Sequence, residues 1–357
     1  MIESFAIGLV LIWVFFLSML QVLKFDKKGN SRNSKNPFVS ILISIRNEEK
    51  NMKDLCESLN KLSYPPSNFE ILFGDDDSED KTLEILQKYK PLNAAIFGFH
   101  GEADAFGKQK VLSQLAKNAK GSYLMFTDAD MQFHPDWIQG MLRKISNEYE
   151  IVVGLTSVSG NDWLARLQNT DWLFNECIVG WFSRMGIGLT AWGNNLMMSK
   201  STYDAIGGYE GLDQTIVEDV VLLRAVQSLG GKLVVNFDSY AVANTKPASF
   251  FDLLHQRKRW MKGLTGLNPL YWVGGMIKMF FWPALIFLTL GNTLWILLGP
   301  IAILLKSQLI SRIRRVANIQ SSIPHLLLFE IYDFVFYFLT FAFYLMPIKL
   351  IWKGRKY

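Results

Sequence analysis

Two aspartates separated by one residue, Asp128 and Asp130, are suited by type and spacing to hold a divalent cation. They follow an apolar segment at residues 122–126, which predicts a buried strand. Side chains at i and i+2 of an extended chain point to the same side, so both carboxylates can face one ligand. At the carboxyl end of a central strand they could hold a cation against a diphosphate. Taken alone, the pair also suits an acidic turn.

A second acidic cluster consists of Asp75, Asp76 and Asp77, and it follows a short apolar segment at residues 71–73. Turn chemistry after a strand accounts for aspartate and for the following Ser78, but three successive carboxylates are more than a turn needs. At a strand end they could accept hydrogen bonds from a nucleobase and a ribose. The cluster therefore suits either a turn or a nucleotide site.

Glu218 and Asp219 open an apolar helical pattern. One explanation is structural, because the helix dipole favours acidic residues in a first turn. The other is catalytic: a partly desolvated carboxylate has a raised pKa and can take a proton from an attacking hydroxyl group.

A basic and aromatic segment at residues 256–260 precedes the second long apolar run. Such a segment is common at a membrane interface, where a tryptophan anchors the chain. The same side chains could also divide a binding task. Gln256, Arg257 and Arg259 would bind diphosphate oxygens. The Trp260 indole would stack on an acceptor ring.

Strand and helix patterns alternate between residues 37 and 130. This rhythm predicts an α/β fold with a mostly parallel sheet, covered on both faces and binding its ligand at the carboxyl ends of the strands. The expected helices span residues 49–62, 82–89 and 108–120, and the expected strands begin near residues 39, 71, 94 and 122. Further along, we expect helices at 163–182 and 217–229, strands at 195–199 and 233–235, and a membrane-surface helix at 249–263.

Three apolar runs, at residues 5–23, 279–305 and 326–351, are long enough to cross a membrane, which takes roughly 20 helical residues. Pro283, Gly291 and Pro300 could split the second run into two helices. Glu330 and Asp333 interrupt the third run, where they could face other helices or a polar acceptor route, or simply lie near the interface.

The net charge of +5 is concentrated near the apolar runs, a pattern that suits an anionic lipid surface and not a nucleic acid. Basic residues directly after the first run predict that residues 37–265 lie in the cytosol. The basic segment at residues 306–315 complicates the topology, because a single crossing by the second run would place it outside. The only cysteines, Cys56 and Cys177, are expected to be free thiols.

The ordered motifs resemble those of the membrane-integrated family 2 glycosyltransferases, which have a GT-A fold. Ceramide glucosyltransferases and the cellulose, chitin, hyaluronan and poly-N-acetylglucosamine synthases belong to this group. The resemblance covers about residues 37–265. It rests on the segments 45–49, 75–76, 107–108, 128–130 and 218–219 and on Gln256-x-x-Arg259-Trp260.

The resemblance implies a role for each matching position. Mg²⁺ or Mn²⁺ would bind to Asp128 and Asp130, and Asp219 would be the catalytic base, with Glu218 beside it. The implied nucleotide-sugar ligands are Glu48, Asp75, Asp76, Lys108 and Asp128. The implied diphosphate and acceptor ligands are Asn194, Gln256, Arg257, Arg259 and Trp260. Asp77 occupies a position that is often glycine in the family.

The expected architecture is an anchor at residues 1–24, a GT-A domain at 37–247, an interfacial helix at 248–270 and a membrane region of two or three helices at 271–357. The expected protein is an inverting enzyme of the plasma (inner) membrane that moves a sugar from a UDP-sugar to a membrane lipid. A processive or short-chain polysaccharide synthase with a glycan acceptor is one alternative. An inactive membrane protein that only binds nucleotide sugars is another.

Overall fold

The computed structural model describes residues 1–25, 36–99, 107–145, 148–263, 269–319, 326–349, 351–352 and 355–356. The helices are α1 (Ile2–Leu20), α2 (Glu49–Leu59), α3 (Thr82–Tyr89), α4 (Lys108–Asn118), α5 (Trp137–Leu142), α6 (Trp163–Arg184), α7 (Lys200–Ala205), α8 (Glu218–Ser228), α9 (Phe250–Gly263), α10 (Pro269–Gly291), α11 (Leu298–Val316) and α12 (Leu326–Leu345). The strands are β1 (Val39–Ile45), β2 (Phe69–Asp75), β3 (Ala94–Gly98), β4 (Tyr123–Thr127), β5 (Met131–Phe133), β6 (Ile151–Gly154), β7 (Thr156–Val158), β8 (Asn195–Ser199), β9 (Leu233–Asn236), β10 (Ala243–Thr245), β11 (Ile351–Trp352) and β12 (Arg355–Lys356).

The main sheet of the described chain has seven strands in the order β3-β2-β1-β4-β8-β6-β9. Strands β1 to β4 are parallel, as are β6 and β9, whereas β8 runs antiparallel to both of its neighbours. The α/β fold with a mostly parallel sheet is therefore confirmed. The strand expected at residues 195–199 is β8, but its antiparallel direction was not anticipated. The small sheet β5-β10-β7 was not anticipated, because its strands are only three residues long.

Each face of the sheet buries its own core, since successive side chains of a strand point to opposite faces. On β1, Ile41 and Ile43 lie in one core with α2 and α5, whereas Leu42 lies in the other core with α4 and α6. Both faces of the central strands are thus apolar, as expected for parallel strands that are covered on both sides.

Helix α6 lies between the sheet and a group of long apolar helices. Its residue Gly180 lies against Phe237, which follows β9, while Phe174 packs edge-on against Trp13 of α1 with the ring centroids 6.2 Å apart. Helices α1, α10 and α11 share one continuous apolar core with α6 and the sheet. The main sheet and the apolar helices are therefore joined by packing.

Within the described residues, four helices are long and apolar enough to cross a membrane: Ile2–Leu20, Pro269–Gly291, Thr293–Val316 and Leu327–Leu345. The second apolar run is split at Gly291, one of the three positions that could divide it: α10 ends at Gly291, and Asn292 follows outside the helix. Pro283 and Pro300 lie inside helices. The third run ends early: α12 ends at Leu345, and Ile351–Trp352 is a short strand.

Candidate active site

The carboxyl ends of β1, β2 and β4 lie side by side and bring the acidic segments to one edge of the sheet. Ile45 at the end of β1 pairs with Asp75 of β2, and Ile43 pairs with Thr127 at the end of β4. The segment containing Asp128 and Asp130 follows directly. Parallel pairing therefore accounts for the placement of acidic segments that are far apart in sequence.

The loop after β2 is built from its own aspartates. Asp75 is fully buried, and its carboxylate accepts hydrogen bonds from the Ser78 hydroxyl at 2.5 Å and the Ser78 N–H at 3.2 Å. The guanidinium of Arg46 donates to the backbone carbonyls of Asp76 and Asp77. Asp77 has a φ of 60°, in the left-handed region that favours glycine. Asp77 thus adopts a backbone conformation that glycine reaches without strain.

Lys108, the first residue of α4, joins two acidic segments. Its ammonium nitrogen lies 2.5 Å from Oδ1 of Asp128 and 2.6 Å from Oε1 of Glu218. Burial lowers the pKa of Lys108, but the two carboxylates outweigh it and raise the pKa above its ordinary value. The ammonium therefore stays charged and holds the edge of the sheet to the first turn of α8.

Asp219 is held next to this bridge. One carboxylate oxygen accepts a hydrogen bond from the N–H of Gly193 at 2.9 Å, and the other accepts one from the N–H of Val220 at 2.9 Å. Burial and the neighbouring Glu218 raise its pKa to about 6, although Lys108, the Gly193 N–H and Arg259 act in the opposite direction. A carboxylate with this pKa is ionised at neutral pH and is a stronger base than an exposed aspartate.

The segment after Gly193 completes the wall of the site. Thr127 donates a hydrogen bond to the backbone carbonyl of Asn194 at 2.7 Å, and Thr156 donates to its side-chain oxygen at 3.1 Å. Thr245 of β10 donates to Oδ2 of Asp130 at 3.0 Å. Asn194 and Asp130 are thus fixed by hydroxyl groups from strands β4, β7 and β10 or from their ends.

The carboxylates at this edge fit a divalent cation that shares its ligands with a substrate. Among the described residues, no group of three or more His, Cys, Asp or Glu side chains could hold a metal ion by itself. Mg²⁺ commonly binds to one or two carboxylates together with substrate phosphates. Asp128 and Asp130 provide such a pair, and Glu218 and Asp219 beside them add negative charge. Asp128 would exchange part of its contact with Lys108 for the cation.

Helix α9 brings the Gln256-x-x-Arg259-Trp260 segment to the same region. Trp260 packs with Val217 and Val220, which flank Glu218 and Asp219. At the end of α9, a Cβ on Gly263 would lie only 2.0 Å from Cγ2 of Val217, so the backbone of Gly263 packs directly against the Val217 side chain. Arg259 lies close enough to Asp219 to lower its pKa. Gln256 is half-buried on the same helix.

Two of the candidate residues make contacts outside the acidic edge of the sheet. The Arg257 guanidinium is paired with the buried Asp171 of α6 and lies over the Trp260 ring, 4.5 Å from its centroid. The Glu48 carboxylate accepts a hydrogen bond from Asn51 at 2.8 Å, and its backbone N–H donates to Thr82. Glu48 thus links the loop after β1 to Thr82, the first residue of α3.

The sequence did not point to Thr245, Thr156 or Asp171 as residues that support the site. All three are common types in segments without a motif. The placement of Thr245 and Thr156 depends on β10 and β7, which are too short to be recognised from periodicity. The available signal for Asp171 was an acidic residue on a predicted helix that is rich in apolar side chains. A carboxylate that is buried on such a helix needs a charged or hydrogen-bonding partner.

The model of glycosyl transferase family 21 matches residues 5–357, nearly the whole chain. The chain belongs to glycosyl transferase family 21. This membership confirms the resemblance to membrane glycosyltransferases that the motifs indicated. Among curated relatives, beta-monoglucosyldiacylglycerol synthase of Trichormus variabilis is 27% identical over 237 residues, which cover 64% of this chain and 49% of that protein. The synthase of the same name from Synechocystis is 23% identical over 248 residues, 66% of this chain and 49% of that protein. This family 21 member thus spans about half the length of the curated relatives it matches.

The fold of this family 21 member is similar to that of a solved glycosyltransferase. Mannosyltransferase PcManGT from Pyrobaculum calidifontis, solved in complex with GDP-Man and Mn²⁺, superposes with a TM-score of 0.57 at 14% identity. The superposition covers 94% of this chain and 99% of that one. The expectation of a GT-A fold is therefore confirmed.

Proposed function

We propose that this family 21 member transfers a sugar from a nucleotide diphosphate sugar, UDP-linked, to the hydroxyl group of a membrane lipid with inversion at the anomeric carbon. The observation that carries the proposal is the cluster formed by Lys108, Asp128, Glu218 and Asp219. Lys108 joins Asp128, on the expected donor side, to Glu218, the neighbour of the expected base Asp219, through contacts of 2.5 and 2.6 Å.

The donor would bind at the carboxyl edge of the sheet. Asp75 and Asp76, which are buried at the end of β2, would recognise the uridine, and Asp128 and Asp130 would hold Mg²⁺ or Mn²⁺. When bound, the cation would supply positive charge opposite the leaving diphosphate. Lys108 and Arg259 would add fixed positive charge on either side. The Mn²⁺ in the complex of the Pyrobaculum mannosyltransferase supports a metal requirement.

Asp219 would take the proton of the acceptor hydroxyl. Its hydrogen bonds from the Gly193 and Val220 N–H groups fix the direction of its carboxylate. Its pKa of about 6 keeps it ionised at neutral pH while retaining basicity. An acceptor oxygen that loses its proton to Asp219 would attack the anomeric carbon from the face opposite the diphosphate, which inverts the configuration.

A lipid acceptor is supported by the position of α9. This helix lies against the Glu218–Asp219 turn through Val217 and against α12 through the packing of Leu253 and Leu254 on Phe336. An acceptor bound at α9 would therefore lie next to a helix long enough to cross a membrane. The two synthases named for monoglucosyldiacylglycerol support a lipid of the diacylglycerol type.

The test is a transfer assay with the purified protein in lipid vesicles. UDP-glucose, UDP-galactose, UDP-N-acetylglucosamine and GDP-mannose are each combined with diacylglycerol, ceramide and a polyprenyl phosphate, with Mg²⁺ or Mn²⁺. Products are identified by mass spectrometry, and the anomeric configuration is determined by NMR. We expect one hexose on a lipid hydroxyl, in the β configuration from an α-linked UDP-sugar.

Each other result would contradict part of the proposal. A water-soluble polymer would indicate a polysaccharide synthase, and an α-linked product would exclude inversion. Binding of UDP-sugars without transfer to any acceptor would indicate a protein that only binds nucleotide sugars. Asp219→Asn serves as the matched control, because it keeps the shape of the side chain and removes the base.

A further inference from the structure

A network of six charged side chains, five buried and one partly buried, connects α6 and α9 with the apolar helices. We call it the charge network. Three members are acidic and three are basic. They are Asp171 on α6, Arg257 on α9, Lys278 on α10, Lys306 on α11, and Glu330 and Asp333 on α12.

The charges alternate in sign along a continuous path. Lys278 lies 3.6 Å from Asp171 and 2.8 Å from Asp333. Lys306 lies 3.4 Å from Asp333 and 2.6 Å from Glu330. The side chains of these four residues on α10 to α12 are at most 7% exposed. Because the charges balance, the network is a paired structure in its own right and leaves no net charge for a ligand.

The end of the path lies beside the proposed acceptor residue. Asp171 pairs with the Arg257 guanidinium, which lies over the Trp260 indole at 4.5 Å. Trp172, the neighbour of Asp171 on α6, meets the same indole edge-on at 5.5 Å with an interplanar angle of 84°. The Trp260 ring thus contacts both the Arg257 guanidinium, which is paired with Asp171, and the ring of Trp172, which lies next to Asp171 on α6.

Pairing alone does not explain this arrangement. A buried ion pair often contributes little to stability compared with apolar side chains of the same size. Its geometry, however, is specific, because a carboxylate on a rigid helix fixes the direction of a guanidinium. An arginine fixed in this way restricts the ring on which it stacks.

We propose that Asp171 is a positioning residue for acceptor binding: through Arg257 it fixes the orientation of Trp260, and Lys278 anchors Asp171 to the apolar helices. This inference rests on the proposed acceptor role of Trp260. The network ties the acceptor side of the site to the packing of the helices that would face the lipid.

The test compares two charge-balanced double variants of the whole protein. Asp171→Asn with Lys278→Gln removes the anchor of Arg257. Lys306→Gln with Glu330→Gln removes an equally buried pair at the other end of the network and leaves the Asp171–Arg257 pair in place. Asp171→Glu is a milder third variant, because it keeps the charge and moves it by one methylene group.

Two readouts separate positioning from general stability. The first is the KM for the lipid acceptor, which we expect to rise on the order of tenfold in Asp171→Asn/Lys278→Gln, with donor affinity within about twofold of the native value. The second is the tryptophan emission spectrum, which we expect to change in the same variant. The spectral change should disappear when both proteins also carry Trp260→Phe, although ten of the 11 tryptophans remain.

Equal effects of the two double variants on the acceptor KM would overturn the inference, because they would show that the network acts only through overall stability. A spectral change that persists without Trp260 would overturn it as well. The spectra need no substrate, so they decide the inference even if no lipid acceptor is found, a result that would count against the proposed function alone. If the first double variant fails to fold, Asp171→Glu is measured by the same two readouts with the same criteria.

Discussion

The carboxyl edge of the sheet and the helical bundle both bury charged side chains, but in different proportions. At the edge, four carboxylates occur with two cations. Lys108 contacts Asp128 and Glu218, Asp219 lies beside this bridge with Arg259 nearby, and Asp130 lies two residues after Asp128. In the charge network, three carboxylates meet three cations. An excess of one sign raises the pKa of a carboxylate and attracts a cationic ligand, whereas a balanced set holds helices together. The unbalanced charge at the sheet edge is therefore suited to catalysis and ligand binding, whereas the balanced charge network is suited to fixing the positions of helices.

Replacing the proposed base should give the largest effect. Asp219→Asn keeps the hydrogen bond from Gly193 but cannot accept the acceptor proton, so we expect kcat to fall on the order of a thousandfold. Donor affinity, measured by calorimetry, should stay near the native value. Transfer at more than a tenth of the native rate would remove Asp219 from the catalytic role.

Breaking the balanced network should act on stability. In Lys278→Met, Asp333 keeps Lys306 and Asp171 keeps Arg257, so we expect a loss of about 3 kcal/mol, the lower end for a broken buried pair. The measurement is thermal unfolding in detergent.

The control for that variant is Lys53→Met, which removes an exposed pair with Glu57 on α2. Surface pairs of this kind contribute about 0.3 to 0.5 kcal/mol. Equal shifts of the melting temperature in the two variants would contradict the distinction between the network and the surface.

Removing a carboxylate from the sheet edge should weaken metal-dependent donor binding. In Asp130→Ala we expect the affinity for UDP with Mn²⁺ to fall about a hundredfold, roughly 2.7 kcal/mol, because one of two cation ligands is lost. Asp136→Ala, on the exposed segment after β5, is the matched control. If the native protein binds UDP with the same affinity in EDTA as in Mn²⁺, the metal role is excluded.

The pH profile should show the smallest effect. Asp219 acts in its ionised form, and its pKa of about 6 means that the inactive protonated form predominates below that pH. We expect kcat/KM to rise tenfold per pH unit up to about pH 6 and to level off above it. Glu218→Gln removes the repulsion that helps to raise this pKa, so its profile should level off at a lower pH. A profile of Glu218→Gln that levels off at a higher pH would contradict the sign of this interaction.

Much of the fold could be predicted from local patterns. Strands β1, β2 and β4 are apolar runs, and their carboxyl ends carry Asp75 and Asp128, so the acidic edge follows from parallel pairing. The helix at Glu218 was indicated by its acidic first turn and apolar periodicity. The sequence showed that Asp77 departs from the family pattern, but it did not show that Asp77 has a positive φ.

The contacts between distant segments could not be predicted in this way. Lys108 is near Asp128 in sequence but meets Glu218 only through the placement of α8. Lys306 opens the basic segment at residues 306–315, which suggested charges at a membrane boundary, whereas no motif pointed to Lys278. Both lysines are buried among carboxylates of α6 and α12. The carboxylate partners of Lys278 lie on two other helices, α6 and α12, and no local sequence pattern determines how those helices pack against α10.

The position of α6 has a practical consequence for preparing this protein. Helix α6 packs against both the sheet and the apolar helices within one core. Separating the sheet from the apolar helices would therefore expose apolar side chains on both. Residues 36–263 expressed without the remaining helices would expose Phe174 and leave Asp171 without Lys278. Structural work should therefore use the sheet domain together with its apolar helices, in a detergent or nanodisc that covers the apolar helices.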